Sequence, residues 1–265
     1  MHPGTAGPPL RTVCAAAFVA ALSVAFGGAV ARAHERDFTL SRDWRLPAQH
    51  EHEIESFTFW DPRPNDLVQE LEVDYGITGH ASFEPGVRWT KPNGDRLELS
   101  DVDLDMLFSF RSFGYEKLLP AFGVGYDYRL HDDTDPISAN FDDPKNVCEL
   151  TGILSWYTES GEDYTANLNV ARVWGDGENP WESSFTAGYV HPLDFIPGLE
   201  LSPLHPMNVG LEFTQEISQE KFTGLGPVLS WRGNRHFKAV ATFVYAVNKR
   251  SEHFDELRLL LEWEF

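Results

Sequence analysis

Apolar and polar side chains alternate along most of the chain with a period of two. Leu67, Leu71, Val73 and Tyr75 alternate with Glu70, Glu72 and Asp74, and Ala81, Phe83, Val87 and Trp89 with Ser82, Glu84 and Arg88. The pattern recurs in Val102, Leu104, Met106, Phe108 and Phe110, then in Phe122, Val124, Tyr126 and Tyr128. It returns in Met207, Val209, Leu211 and Phe213, in Phe237, Ala239, Ala241, Phe243 and Tyr245, and in Leu257, Leu259, Leu261, Trp263 and Phe265. Successive strand side chains point to opposite faces, so this period predicts strands with one apolar and one polar face. About twelve such segments begin near residues 51, 66, 79, 96, 118, 146, 162, 182, 207, 223, 236 and 255. Most have about 9–13 residues, long for strands of soluble domains and suited to tilted spanning strands. Turn sequences separate them: Gly76-Ile77-Thr78-Gly79, Pro92-Asn93-Gly94-Asp95, Gly175-Asp176-Gly177 and Arg232-Gly233-Asn234-Arg235. No helical spacing, internal repeat or linker stands out, which predicts one all-β domain.

The start of the chain is different. Arg11 precedes an apolar run from Val13 to Val30, followed by the small-residue sites Ala29-Val30-Ala31 and Ala31-Arg32-Ala33. This predicts a secretory signal peptide over residues 1–33, cleaved before His34. The alternative, an anchor helix, fits poorly with Ser23, Gly27 and Gly28 and the polar sequence that follows. Residues 34–50 read as an N-terminal periplasmic segment. Phe38, Leu40, Trp44 and Leu46 leave a thirteenth strand open, but Pro47 and the polar run to Glu53 favour a break. The domain then covers 51–265. With Cys14 removed only Cys148 remains, so no internal disulfide is expected.

Composition narrows the function classes. The 265 residues carry 41 acidic against 21 basic side chains, a net charge of −20, which excludes nucleic acid as a partner because phosphate binding needs a basic face. A mean hydropathy of −0.32 excludes a helical membrane protein. It does not bear on a β-barrel, whose strands are half polar.

Alternation alone does not say which face lies inside; four features bear on it. The polar face carries charges of both signs, adding Asp103, Asp105, Asp127, Arg129, Glu212 and Arg258 to those above. Aromatic residues sit at segment ends (Trp60, Tyr75, Trp89, Tyr128, Trp174, Tyr189, Trp231, Tyr245, Trp263), as interfacial girdles require. Connections alternate in length: His131–Lys145 is long and acidic, whereas 76–79, 158–162 and 232–236 are short. The stretch His191–Pro206, with four prolines, breaks that rule. Finally, the chain ends on Phe265, with Trp263, Leu261, Leu259 and Leu257 on the same face.

That ending resembles the C-terminal strand signature of Gram-negative outer-membrane β-barrel proteins, and Tyr75-Gly76-Ile77-Thr78-Gly79-His80 is similar to a hairpin turn of transporter-like barrels in that group. The resemblance implies a closed antiparallel up-and-down transmembrane barrel in the outer membrane. The implied partners are outer-membrane lipids and lipopolysaccharide, small solutes and the barrel-assembly machinery, which reads Leu257, Leu259, Leu261, Trp263 and Phe265. It implies no cofactor and no catalytic residues.

The expected function is a passive channel for small, cationic solutes, lined by Glu70, Glu72, Asp74, Glu84, Arg88, Asp103, Asp105, Asp127, Arg129, Glu212 and Arg258. The first alternative is a plugged or structural barrel in which Arg88, Arg111, Arg129 and Arg258 pair with the acids. The second is a lipid-modifying enzyme. His80 and Ser82, with Glu84 beside them, share a face, but residues two apart on a strand stand about 6.5–7 Å apart, too far for a nucleophile's hydrogen bond. The third is a metal-binding barrel, with His34 at the new N-terminus, or His50 and His52 beside Glu51 and Glu53, as candidate ligands. The acidic stretch Asp132–Asp143 lacks EF-hand spacing.

Overall fold

The computed structural model describes residues 37–39, 41–61, 65–91, 96–130, 144–175, 181–193, 207–218, 222–234, 236–247 and 255–265. Twelve strands follow one another: β1 (His52–Asp61), β2 (Asp66–Thr78), β3 (Ala81–Lys91), β4 (Glu98–Ser109), β5 (Leu118–Arg129) and β6 (Pro144–Tyr157). They continue as β7 (Asp163–Gly175), β8 (Trp181–Pro192), β9 (Met207–Glu216), β10 (Thr223–Asn234), β11 (Phe237–Ala246) and β12 (Asp255–Glu264). Each pairs antiparallel with its sequence neighbours, and β12 closes on β1, with Glu53 opposite Glu264 and Trp60 opposite Leu257. Closure leaves no strand edge with unpaired amides, the condition for crossing hydrocarbon. β8 pairs directly with β9, so no strand stands between them in the barrel, and residues 194–206 of the proline-rich stretch lie outside the described residues.

The sides of the wall are assigned by burial. Leu118, Leu150, Leu168, Trp181 and Leu211 are at least half exposed on the outside, whereas Glu53, Glu55, Glu212 and Glu262 are buried inside. This inverts the arrangement of a soluble protein and suits a bilayer solvent. A ten-residue strand is about 34 Å long, so at the usual tilt it spans a band of about 25 Å.

We call the end where β1 starts and β12 stops the proximal rim, and the other the distal rim. Outward rings gather at both. Proximally, Trp156 stacks on Tyr164 at 5.5 Å, Tyr164 lies 4.8 Å from Tyr189, and Phe237 bridges Trp231 and Trp263 at 6.2 and 5.3 Å. Trp60, Trp89, Tyr128, Trp174 and Tyr245 lie towards the distal ends of their strands. The segment-end aromatics of the sequence therefore form two belts. A bulge sharpens the distal half: Arg88 pairs with Asp101 but Trp89 with Leu99, so Ser100 is the extra residue, its Oγ donating to the Arg88 carbonyl at 3.1 Å.

The described residues of the N-terminal segment form no thirteenth strand; they run inside the barrel. A turn reverses the chain at the proximal rim, with the Glu51 amide bonded to the Ala48 carbonyl and His50 at φ 70°. This turn is tied to β2, because the His50 amide donates to the Gly76 carbonyl and the Gly76 amide to that of Glu51. Gly76 has to be glycine: a β-carbon there would run into the carbonyl oxygens of Pro47 and Ala48.

Two rings anchor the segment on opposite walls. Phe38 packs with Phe57, Val190, Val228, Val240 and Leu260, while Trp44 packs with Leu107, Leu119, Ala121, Ile153 and Tyr157. Gly188 leaves room for the Phe38 ring, which a β-carbon would strike. These lumenal apolar patches, with Phe38 fully buried, explain why a polar-faced interior holds a segment by packing; burying such a ring is worth roughly 2–3 kcal/mol. Residues 1–36, with the expected signal peptide and His34, lie outside the described residues, as do 131–143 of the acidic connection.

Candidate functional site

The hairpin registers put inward carboxyl groups side by side. On β2, Glu70, Glu72 and Asp74 face inward at alternate positions; on β4, Asp101, Asp103 and Asp105 do the same. Between these strands β3 contributes Glu84 and Arg88, and Gly86 lies where a side chain would strike the Asp103 carboxyl. In register, Glu84 faces Asp105 and Asp103 faces Asp127. The barrel thus has an acidic sector centred on β1–β5, while β7 offers Thr165, Asn167 and Asn169 and β10 offers Val228 and Ser230.

A cavity of about 180 Å³ opens in this sector, lined by Glu70, Glu72, Asp103, Asp105, Asp127 and Glu149, with Arg42, Arg88, Phe57 and Phe59. Arg88 lies 3.3 Å from Glu70. Arg42 comes from the N-terminal segment and reaches up to the cavity floor. It donates to Glu84 at 2.8 Å and to Asp105 at 2.5 Å, and lies 3.9 Å from Glu72. Burial would lower the Arg42 pKa, but these carboxylates reverse the effect and keep it charged. The two arginines cannot match the six carboxyl groups of the lining. Asp103 Oδ1 is sequestered with no hydrogen-bond partner.

Other sequence-selected residues lie outside the cavity, in three places. Glu84 and Glu212 grip the segment: Glu212 accepts from the Thr39 amide and hydroxyl, the Ser41 amide and the Thr242 hydroxyl, at 2.9–3.2 Å. Arg129 and Arg258 form ion pairs nearer the distal rim, with Asp101 at 3.6 Å and Glu256 at 2.6 Å. Asp74 lies deeper, beside Glu53 and Glu55. Of the four arginines expected to pair with lumenal acids, Arg111 does not: it is exposed in the β4–β5 connection.

The segment has its own ionic foot. Lys238 Nζ lies 2.6 Å from Asp37, which also accepts from Ser230 at 2.9 Å and Asn208 at 3.2 Å. Arg45 reaches Asp163 at 3.1 Å and Asp37 at 3.5 Å, its guanidinium 4.4 Å above the Tyr157 ring. Burial pushes the Asp37 carboxyl up, but Lys238 and Arg45 outweigh it and hold its pKa at about 2.

Sequence reasoning missed Arg42, Arg45, Glu55, Asp101, Glu149 and Lys238, and named Glu53 only beside the His50 and His52 candidates. The alternation His52-Glu53-Ile54-Glu55 was a usable signal for Glu55; for Arg42 and Arg45, in a segment without strand period, there was none.

Among the described residues the alternative sites do not assemble. Ser82 Oγ donates to Glu84 at 2.6 Å, and His80 Nδ1 lies 3.1 Å from Ser109 Oγ, so no Ser82–His80 pair forms. His50 Nδ1 meets the Tyr75 hydroxyl at 2.9 Å and His52 stacks on the same ring at 4.9 Å, and neither joins a ligand cluster among the described residues. Leu257, Leu259, Leu261, Trp263 and Phe265 form one outward row on β12, and the Phe265 amide closes on the His52 carbonyl.

No protein-family model matches the sequence, and no curated protein matches it. Solved structures do. The COG4313 outer membrane channel from Pseudomonas putida F1 superposes with a TM-score of 0.58 at 10% identity, covering 87% of this chain and all of that one. The NanC porin gives 0.54 at 9% identity and the KdgM porin 0.52 at 10%, each over 80% of this chain and 99–100% of its own. The fold is that of the outer-membrane porins.

Proposed function

We propose that the protein is an outer-membrane channel for small cationic solutes, narrowed from its proximal side by its own N-terminal segment. The observation that carries the reading is the cavity in which six carboxyl groups face two arginines. A low-dielectric wall focuses the field of its charges, so an excess of one sign raises the local concentration of counter-ions and disfavours co-ions. The porin-like fold supports passage through the lumen.

The test is a reversal-potential measurement on the refolded protein in a planar bilayer under a potassium chloride gradient. The expected result is selectivity for potassium, falling towards neutrality in the double variant Glu72→Gln/Asp103→Asn. Chloride selectivity, or unchanged selectivity in the variant, would sink the cationic reading.

A second reading is favoured by one observation, the grip of Glu84 and Glu212 on the segment. In it the barrel is sealed and serves as a structural element. Absence of openings in both the wild type and a segment-deleted chain would select it.

A further inference from the structure

Three carboxyl groups low in the lumen bring one oxygen each to within 4.8 Å of one another: Glu53 and Glu55 on β1 and Asp74 on β2. The hairpin register causes this. Glu53 lies directly opposite Asp74, and Glu55 is the next inward residue on β1. Their exposures are 1%, 0% and 3%.

A separate observation concerns Asp74. Its Oδ1 is sequestered and has no hydrogen-bond partner. The largest charge effects on it come from Glu84, Glu55, Glu72 and Glu53, all of them acidic. The recorded ion pairs of Arg42, Arg88 and Lys238 go to other carboxylates, and none goes to Asp74. A buried carboxylate surrounded by like charges is unfavourable unless it takes up a proton or a cation.

We infer that Glu53, Glu55 and Asp74 bind one calcium ion, which ties the β1–β2 hairpin beside the seam where the barrel closes. The donors are all hard carboxylate oxygens, with no imidazole or thiolate, which points away from zinc and copper. Calcium takes oxygens at 2.3–2.6 Å, so two ligands on opposite sides of it stand about 5 Å apart at most, which accommodates the observed spacing. Magnesium demands a tighter octahedron and gives up its waters reluctantly. The hairpin is the place where a cation matters most, because β1 also pairs with β12 and carries the turn that sends the N-terminal segment into the lumen. The site stands whether or not the lumen conducts.

The test uses the full folded protein in detergent, stripped with a chelator and titrated calorimetrically with calcium chloride, and in parallel with magnesium chloride. Variants are Asp74→Asn, nearly isosteric, and the exposed distal control Glu98→Gln. Expected is one calcium per chain, with affinity reduced in Asp74→Asn by more than the about tenfold that loss of an outer-shell partner already costs, and unchanged in Glu98→Gln. Calcium should also raise the unfolding temperature of the wild type, a readout that holds even if Asp74→Asn fails to fold. No saturable binding by the wild type, equal affinity in Asp74→Asn, or an equal response to magnesium would each overturn the site. So would an Asp74→Asn chain that is more stable than the wild type while neither responds to calcium, the mark of a carboxyl that simply holds a proton.

Discussion

Arg42 is where the lumen's charges converge. One guanidinium joins Glu84 on β3 to Asp105 on β4, while its carbonyl accepts from Thr165 at 3.0 Å and Asn167 at 2.7 Å on β7, across the barrel. Replacing it by alanine leaves nearly buried carboxylates without their guanidinium. Breaking such a pair costs about 3 kcal/mol, so Arg42→Ala should lower the urea midpoint of unfolding; an unchanged midpoint would mean the pairs contribute nothing. Asp37 gives a pH prediction. Its folded pKa lies below the usual carboxylate value of about 4, so its contribution is complete above that value and is lost as the pH falls through about 2. With 5-fluorotryptophan incorporated, the Trp44 fluorine resonance, assigned from Trp44→Phe, should report release of the foot in that window. In Lys238→Met the release should move to higher pH; an unmoved transition would show that Lys238 does not hold Asp37.

At the level of elements, the barrel was legible in the sequence because period two is a one-body signal. Each strand must show lipid an apolar face whatever its partners are, and all twelve predicted starts fall within two residues of the observed ones. The N-terminal segment was not legible. Phe38 and Trp44 are buried because β8 has a glycine at 188 and β4–β6 offer Leu107, Leu119 and Ile153, and these pairings join residues over 60 positions apart. The site was legible in part for the same reason: inward facing follows from parity, but which acids meet which arginines follows from register and from the segment. Gly188→Val should expel the Phe38 ring. A Thr39→Cys reporter should then react with a bulky maleimide at least about tenfold faster than in the Gly188 background, as an opening penalty lowered by more than 1.4 kcal/mol requires. Equal rates would show that Phe38 does not anchor the segment. On the outer wall, Leu259→Arg places a charge at mid-strand against lipid and should cost about 2–4 kcal/mol in vesicle refolding titrations; no loss would mean that this face of β12 does not meet hydrocarbon.

On the scale of the molecule, the net charge of −20 has a definite address: much of it is folded inward, against an apolar exterior that a water-soluble acidic protein would not show. The interior is divided along its axis. The proximal half is filled by the segment and its ionic foot, and the carboxyl-lined cavity lies above it, floored by Arg42. On the channel reading proposed above, conduction is limited by the segment and selected by the cavity. The most direct measurement is the single-channel conductance of the wild type beside a chain lacking residues 37–47, in planar bilayers with the same salt gradient. The deleted chain should conduct at least about twice as much while keeping cation preference, since the acidic wall is untouched. Equal conductance, or loss of the preference with the segment, would contradict a channel narrowed by its N-terminus and selected by its wall.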